Sequence, residues 1–282
     1  MESAEVAAGA AADEAAAQEA RRLAERYADA VAPTLVQLAR RAVDLAGVEA
    51  GHAVLDLGTG TGLAAFLAAE RTGREGTVIG LDASPAMLAV ARARSAAVGY
   101  DYIKWQQGTA AQLTFADESF DAVLAVQSLV VLPRPDLALE EIRRVLVEGG
   151  RAVITVWGSR AGNEWIGLLE QALRRAAPQA RPPEAYALSQ PGNLEALLQA
   201  AGLTAIEAAR VPDVMRFQGA AAFWEWAQAT HRWDTAIAGL PPERRERMRA
   251  AVLAAVSPRS RDGEVALRRE IVYARAVAPA LR

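Results

Sequence analysis

The sequence predicts an α/β fold built on a parallel, doubly wound sheet, and three features predict it. Short apolar runs alternate with alanine-rich helical stretches from residue 53 to residue 157, which is the rhythm of a sheet with helices on both faces. A glycine-rich turn, Gly58-Thr-Gly60-Thr-Gly62, joins the first of these runs to the helix after it. The chain of 282 residues is longer than a typical single domain, so an added lobe is expected.

Residues 1–19 are low-complexity alanine and acid and are expected to form a flexible tail. Over residues 20–50, Leu23, Tyr27, Val31, Leu35, Leu38, Ala42 and Leu45 recur at three- and four-residue spacing around Pro33, which predicts two helices meeting at a bend. The core, residues 51–158, reads as strands at 53–58, 77–81, 103–107, 120–126 and 152–157. Helices are predicted over 63–71, 84–98 and 136–146, with a short one at 110–113. From 159 to 282 the rhythm changes. Helices are expected at 164–177, 193–201, 220–229 and 242–256, and strands at 203–211 and 264–277, with a proline-rich loop through Pro178, Pro182 and Pro183.

Composition excludes several function classes. A net charge of -3 from 31 basic and 34 acidic residues lacks the basic surplus that a phosphate backbone demands, so nucleic acid is not the expected partner. A small molecule fits better. With no cysteine and two histidines, thiolate zinc sites and three-histidine metal sites are ruled out, and no metal is expected. No run approaches the ~20 apolar residues that span a bilayer. The acidic, alanine-rich N-terminus is unlike a signal peptide, which predicts a cytoplasmic location. Oligomeric state, monomer or homodimer, stays open.

The turn at Asp56-Leu-Gly58-Thr-Gly60-Thr-Gly62 has the strand-before, helix-after context that nucleotide binding requires. Glycines let a ligand approach main-chain N–H groups, and a helix N-terminus adds a partial positive field. The third glycine comes one residue too early for a dinucleotide fingerprint, and no Gly-Lys-Ser/Thr follows for a Walker loop. Asp56 would repel a pyrophosphate but accept hydrogen bonds from an ammonium group, which favours an amino-acid-like ligand.

The segment Val54-Leu-Asp-Leu-Gly-Thr-Gly-Thr-Gly62 resembles motif I of class I S-adenosylmethionine-dependent methyltransferases. Further matches follow in order: Leu81-Asp82-Ala-Ser84-Pro85-Ala-Met87, the run from Gln112 to Val123, and the run from Ile142 to Arg151. The resemblance spans about residues 20–158 and is nearest to the small-molecule branch that includes ubiquinone and menaquinone biosynthesis methyltransferases. It implies a Rossmann-like sheet of seven strands with strand seven antiparallel, an N-terminal helical lid over 20–50 and a C-terminal helical cap over 159–282. It also implies S-adenosylmethionine as cofactor, with S-adenosylhomocysteine as product.

The implied cofactor residues are Asp56, Gly58, Thr59, Gly60 and Gly62 of the turn, with Asp82 on the ribose hydroxyls. Ala83 and Met87 are expected as adenine walls beside Gly108, Thr109 and Ala110. The family commonly has an acid where Thr109 stands, so the adenine contact is expected to be weaker or shifted. Tyr27 either approaches the cofactor from the lid or packs in the core. Gln127, just past the fourth strand, either lines the cofactor or caps.

Trp157, Trp165 and Trp224 are candidates to line a flat acceptor, with core packing as the alternative. His231 is the candidate general base. The expected reaction is methyl transfer to an oxygen, carbon or nitrogen nucleophile of a small aromatic or quinone-like molecule. The alternative is a protein of this fold that binds the cofactor but performs another reaction or a binding role.

Overall fold

A computed structural model describes residues 2–183, 187–230 and 232–280. The chain runs α1 (Glu2–Arg26), a π-helical turn (Tyr27–Val31), α2 (Ala32–Ala46), β1 (Ala53–Leu57), α3 (Leu63–Thr72), β2 (Thr77–Asp82), α4 (Pro85–Ala97), β3 (Lys104–Gln107), β4 (Phe120–Val126), α5 (Pro135–Val145) and β5 (Leu146–Trp157). It continues through α6 (Glu164–Ala176), α7 (Asn193–Ala200), β6 (Thr204–Phe217), α8 (Gly219–Ala229), α9 (Trp233–Ala238), α10 (Pro242–Val256), β7 (Ser260–Arg261) and β8 (Glu264–Val277).

The sheet order is β3-β2-β1-β4-β5-β8-β6, with the two-residue β7 paired to β8. Strands β1 to β5 pair in parallel. Strand β8 enters antiparallel between β5 and β6. This is the seven-stranded Rossmann-like sheet, extended by a short eighth strand. Ligands of such sheets bind outside the carboxyl ends of the strands where the order reverses, here between β1 and β4.

Period-two alternation makes the two core layers. Val54, Leu124 and Val153 pack under α2 and α3, while Leu55, Leu57, Val123, Ala125 and Ile154 pack against α5 and α7. A third cluster joins the start of α2 to α6, α8, α9, α10, β6 and β8, and it contains Trp157, Trp165, Trp224, Trp226 and Trp233. These rings pack edge to face: Trp157 on Trp165 at 5.3 Å, and Trp165 on Trp226 at 5.1 Å between centroids.

Three local expectations are revised. The bend expected at Pro33 falls earlier, as a π-turn in which the Ala32 N–H donates to the Tyr27 carbonyl. Pro33 then sits in the first turn of α2, where its missing N–H costs nothing. Residues 110–113 form a turn closed by a Thr109–Gln112 bridge, because four residues give too little ladder for a helix and the Leu113 N–H goes to the Glu141 carboxylate at 2.6 Å. The short helix α9 was not anticipated. At the N-terminus, α1 runs from Glu2, and residues 13–22 of it are exposed.

Candidate functional site

Strand β1 delivers Asp56 to the N-terminus of α3, where its Oδ2 accepts from the Thr59 hydroxyl at 2.6 Å and the Ala65 N–H at 2.9 Å. The residue is buried, and burial raises its carboxyl to about 6, against the lowering effect of those two hydrogen bonds. Asp56 therefore braces the turn from behind; the ammonium role expected of it is not what its neighbours suggest, since it does not line the cavity. Thr59 turns inward with it.

The three glycines of the turn all have left-handed φ, but they face different things. A Cβ on Gly62 would lie 2.7 Å from the Trp105 ring and 3.0 Å from Phe66, so this glycine serves the packing of α3. On Gly58 it would meet the Ser128 Cβ at 2.4 Å. On Gly60 the nearest atom is Tyr27 Cε1 at 3.9 Å, so its face is open to the cavity.

Asp82 ends β2 and pins the turn from the other side. The Gly60 N–H donates to its Oδ2 and the Ser84 N–H to its Oδ1, both at 2.8 Å. Ser84 caps α4 with its own hydroxyl, which accepts from the Met87 N–H at 3.3 Å. Asp82 is thus spared the cap role and faces the ligand space.

That space is a cavity of about 500 Å³, lined among others by Tyr27, Gly58, Gly60, Asp82, Ala83, Met87, Gly108, Ala110, Gln127, Ser128 and Asp234. It matches most of the cofactor residues expected from sequence. Thr109 is exposed outside it, as is the Gln112 side chain. The lining suits S-adenosylmethionine: carboxylates for hydroxyls and a cation, an open glycine backbone, and apolar Leu81, Ala83 and Met87 for a heterocycle. Among the described residues no lysine or arginine lines it, which disfavours a phosphate-bearing ligand.

A second, smaller pocket of about 50 Å³ adjoins it, lined by Val31, Leu35, Trp157, Trp165, Thr230, Arg232 and Trp233 among others. Tyr27, Gln127 and Val131 line both spaces and form the wall between them. Tyr27 lies in the π-turn, a feature frequent at functional sites. Arg94 of α4 holds that turn, donating to the Ala28 carbonyl at 3.2 Å and to Asp29 at 2.6 Å. Burial first, then Asp82 and Asp56, raises the Tyr27 phenol to about 12, so it stays protonated.

Gln127 takes a left-handed φ of 56°, rare for a non-glycine residue, with its N–H on Thr155 and its Oε1 buried without a partner. Ser128 beside it also has a buried, unpartnered hydroxyl. Sequence reasoning missed Ser128 and Asp234, since neither sits in a recognisable pattern. Trp157 and Trp165 line the smaller pocket, whereas Trp224 faces a separate groove with Glu225, Gln228 and Arg245. The structure thus removes Trp224 from the acceptor set: on α8 its ring points toward α10. His231, the candidate base, lies outside the described residues.

Comparison with known proteins adds the family context. A family model described as a methyltransferase domain matches residues 48–200, more than half of the chain. The chain is 35% identical over 154 residues to aklanonic acid methyltransferase DauC of Streptomyces sp. strain C5, a match covering 52% of this chain and 70% of the relative. It is 42% identical over 116 residues to the 2-phytyl-1,4-naphtoquinone methyltransferase of Thermosynechococcus vestitus, covering 40% of this chain and 49% of the relative. The alignment thus spans about half the length of most such relatives. Among solved structures, the [4+2]-cyclase SpnF superposes with a TM-score of 0.56 at 23% identity, covering 87% of this chain and 82% of that one. At that identity the likeness is one of fold.

Proposed function

The chain belongs to the methyltransferase-domain family, whose members here use S-adenosylmethionine, and from that premise we propose that it methylates a small, flat, acidic acceptor such as a phenol or enol. The observation that carries the reading is the pair of adjoining spaces, a polar-ended cavity and an aromatic pocket, with Tyr27 and Gln127 in the wall they share.

When bound, S-adenosylmethionine supplies an electrophilic methyl on a positively charged sulfur, which becomes neutral once the acceptor's electron pair has taken the methyl. The chain's own part is placement and exclusion of water. Asp82 would hold the ribose hydroxyls. Gly58 and Gly60 would offer backbone to the amino-acid end, and Ala83 and Met87 apolar surface to the base. Trp157, Trp165 and Trp233 supply the aromatic surface on the acceptor side of the wall.

No general base stands among the described residues lining the aromatic pocket. Tyr27 is held protonated. Such a pocket favours an acceptor that ionises by itself over an alcohol that must be deprotonated in place. Aklanonic acid and 2-phytyl-1,4-naphtoquinone, which name two of the relatives, are consistent with that acceptor class.

The test is to supply S-adenosylmethionine with a hydroxynaphthoquinone or with its methyl ether and to follow S-adenosylhomocysteine. Product is expected with the free hydroxyl compound alone. Binding of the cofactor with no turnover across a panel of acidic phenols and enols would contradict the proposed transfer.

A further inference from the structure

We propose that Asp234 makes the site prefer the cationic methyl donor over its uncharged-sulfur product, so that methyl transfer itself loosens the hold on what remains. The inference rests on the donor reading above. The charged side chains lining the larger cavity are two carboxylates, Asp82 and Asp234. They stand in different places and do different work.

Asp82 closes β2, and both of its oxygens receive backbone N–H groups from the glycine turn and the α4 cap. Asp234 comes from the cap, outside the segment matched by the family model. Its chain neighbour Trp233 is buried against the aromatic pocket, while Asp234 itself lines the donor cavity. Two consecutive residues therefore reach the two spaces on either side of their shared wall, and that wall is where a methyl must cross. A donor that hands its methyl across that wall would carry its charged sulfur on the same side of it as Asp234.

The carboxylate is fixed without being neutralised. Its Oδ1 accepts from the Thr235 N–H at 2.6 Å and the Thr235 hydroxyl at 3.1 Å. Among the described residues no basic side chain pairs with it. Backbone hydrogen bonds anchor the segment: the Thr230 N–H donates to the Trp226 carbonyl at 2.9 Å, and the Trp233 and Asp234 N–H groups donate to the Thr230 carbonyl at 3.1 and 2.9 Å. A unit charge roughly 6 Å from a carboxylate gains about threefold in affinity even at the dielectric of bulk water, and more where protein excludes solvent. The ribose, adenine and amino-acid portions are common to donor and product, so a carboxylate in the donor cavity acts on the difference between them.

Calorimetric titration of the full chain with S-adenosylmethionine and with S-adenosylhomocysteine tests this, comparing wild type with Asp234→Asn. The amide still accepts from Thr235, so the helix start is kept. The expected result is a loss of about fivefold or more for the donor, with the product held within about twofold. Equal weakening of both ligands, or of neither, overturns the inference. If Asp234→Asn does not fold, Asp234→Ser reads out the same comparison. Wild-type protein that binds neither ligand would instead sink the donor reading itself.

Discussion

From Ala53 to Trp157 the cavity is walled by strand ends and the loops after them, with glycine backbone at Gly58, Gly60 and Gly108 and with Asp82 tying two of the loops together. Beyond Trp157 the walls are side chains on helices, above all Trp165 and Trp233, backed by Trp226 and Phe223. The first region sets its geometry by φ angles and short hydrogen bonds, and so depends on glycine at particular positions. The second depends on filled volume. A site of the first kind binds one shape of ligand, while one of the second kind can be re-cut by changing ring positions. That division fits a constant donor and a variable acceptor.

The comparison breaks most visibly at Trp165, 1% exposed between Trp157 and Trp226. Trp165→Ala is expected to cost about 3–5 kcal/mol of stability, read by denaturant unfolding, while S-adenosylhomocysteine affinity of the folded fraction stays within about threefold. Substitutions in the glycine turn should divide by the face each residue presents. Gly62→Ala drives a Cβ into Trp105 and is expected to lower stability by about 2 kcal/mol or more. Gly60→Ala meets nothing closer than 3.9 Å, so its backbone cost is roughly 1–2 kcal/mol, and it is also expected to lose about tenfold in cofactor affinity. Should the two variants behave alike, the assignment of one glycine to packing and the other to ligand is wrong.

A smaller effect separates Asp56 from Asp82. The Asp56 carboxyl rises from 3.8 to about 6 on folding. Between those values the folded chain holds a proton that the unfolded chain has released, so stability falls as pH rises through this window. Above about 6 the buried carboxylate is ionised and the loss is complete. The melting midpoint of wild type should therefore drop more between about pH 5 and about pH 7 than that of Asp56→Asn, which has nothing to titrate there. Smallest of all is Tyr27→Phe. It keeps the ring in the wall and removes a hydroxyl that is protonated at neutral pH, so a change of about two- to fivefold in cofactor affinity is expected by titration.

The same two regions differ in what could be read from sequence. The turn, Asp82 and the alternation of β1, β2 and β4 were legible because each is a local pattern: an apolar run, a glycine spacing, a strand-ending acid. The role of each turn residue was not. Gly62 and Thr59 look like ligand contacts in the motif, yet one faces Trp105 and the other faces Asp56, and only the approach of β3 and the depth of β1 decide that. Trp224 and Trp165 look alike on amphipathic helices, and the packing of α10 sends the first to another groove. Asp234 and Ser128 carry no signal at all, since each is a polar residue brought to the cavity by tertiary contact. The π-turn at Tyr27 was visible as a proline-marked bend, displaced because the helix relaxes its ladder before the proline.

The central claim, that the cavity closed by Asp82 and the glycine turn holds the methyl donor and its product, has a direct test in calorimetric titration with S-adenosylhomocysteine. Wild type is expected to bind, and Asp82→Ala to bind about tenfold more weakly or worse, roughly 1.4 kcal/mol, with its fold confirmed by circular dichroism. Equal binding by the two proteins, or binding by neither, would contradict the account.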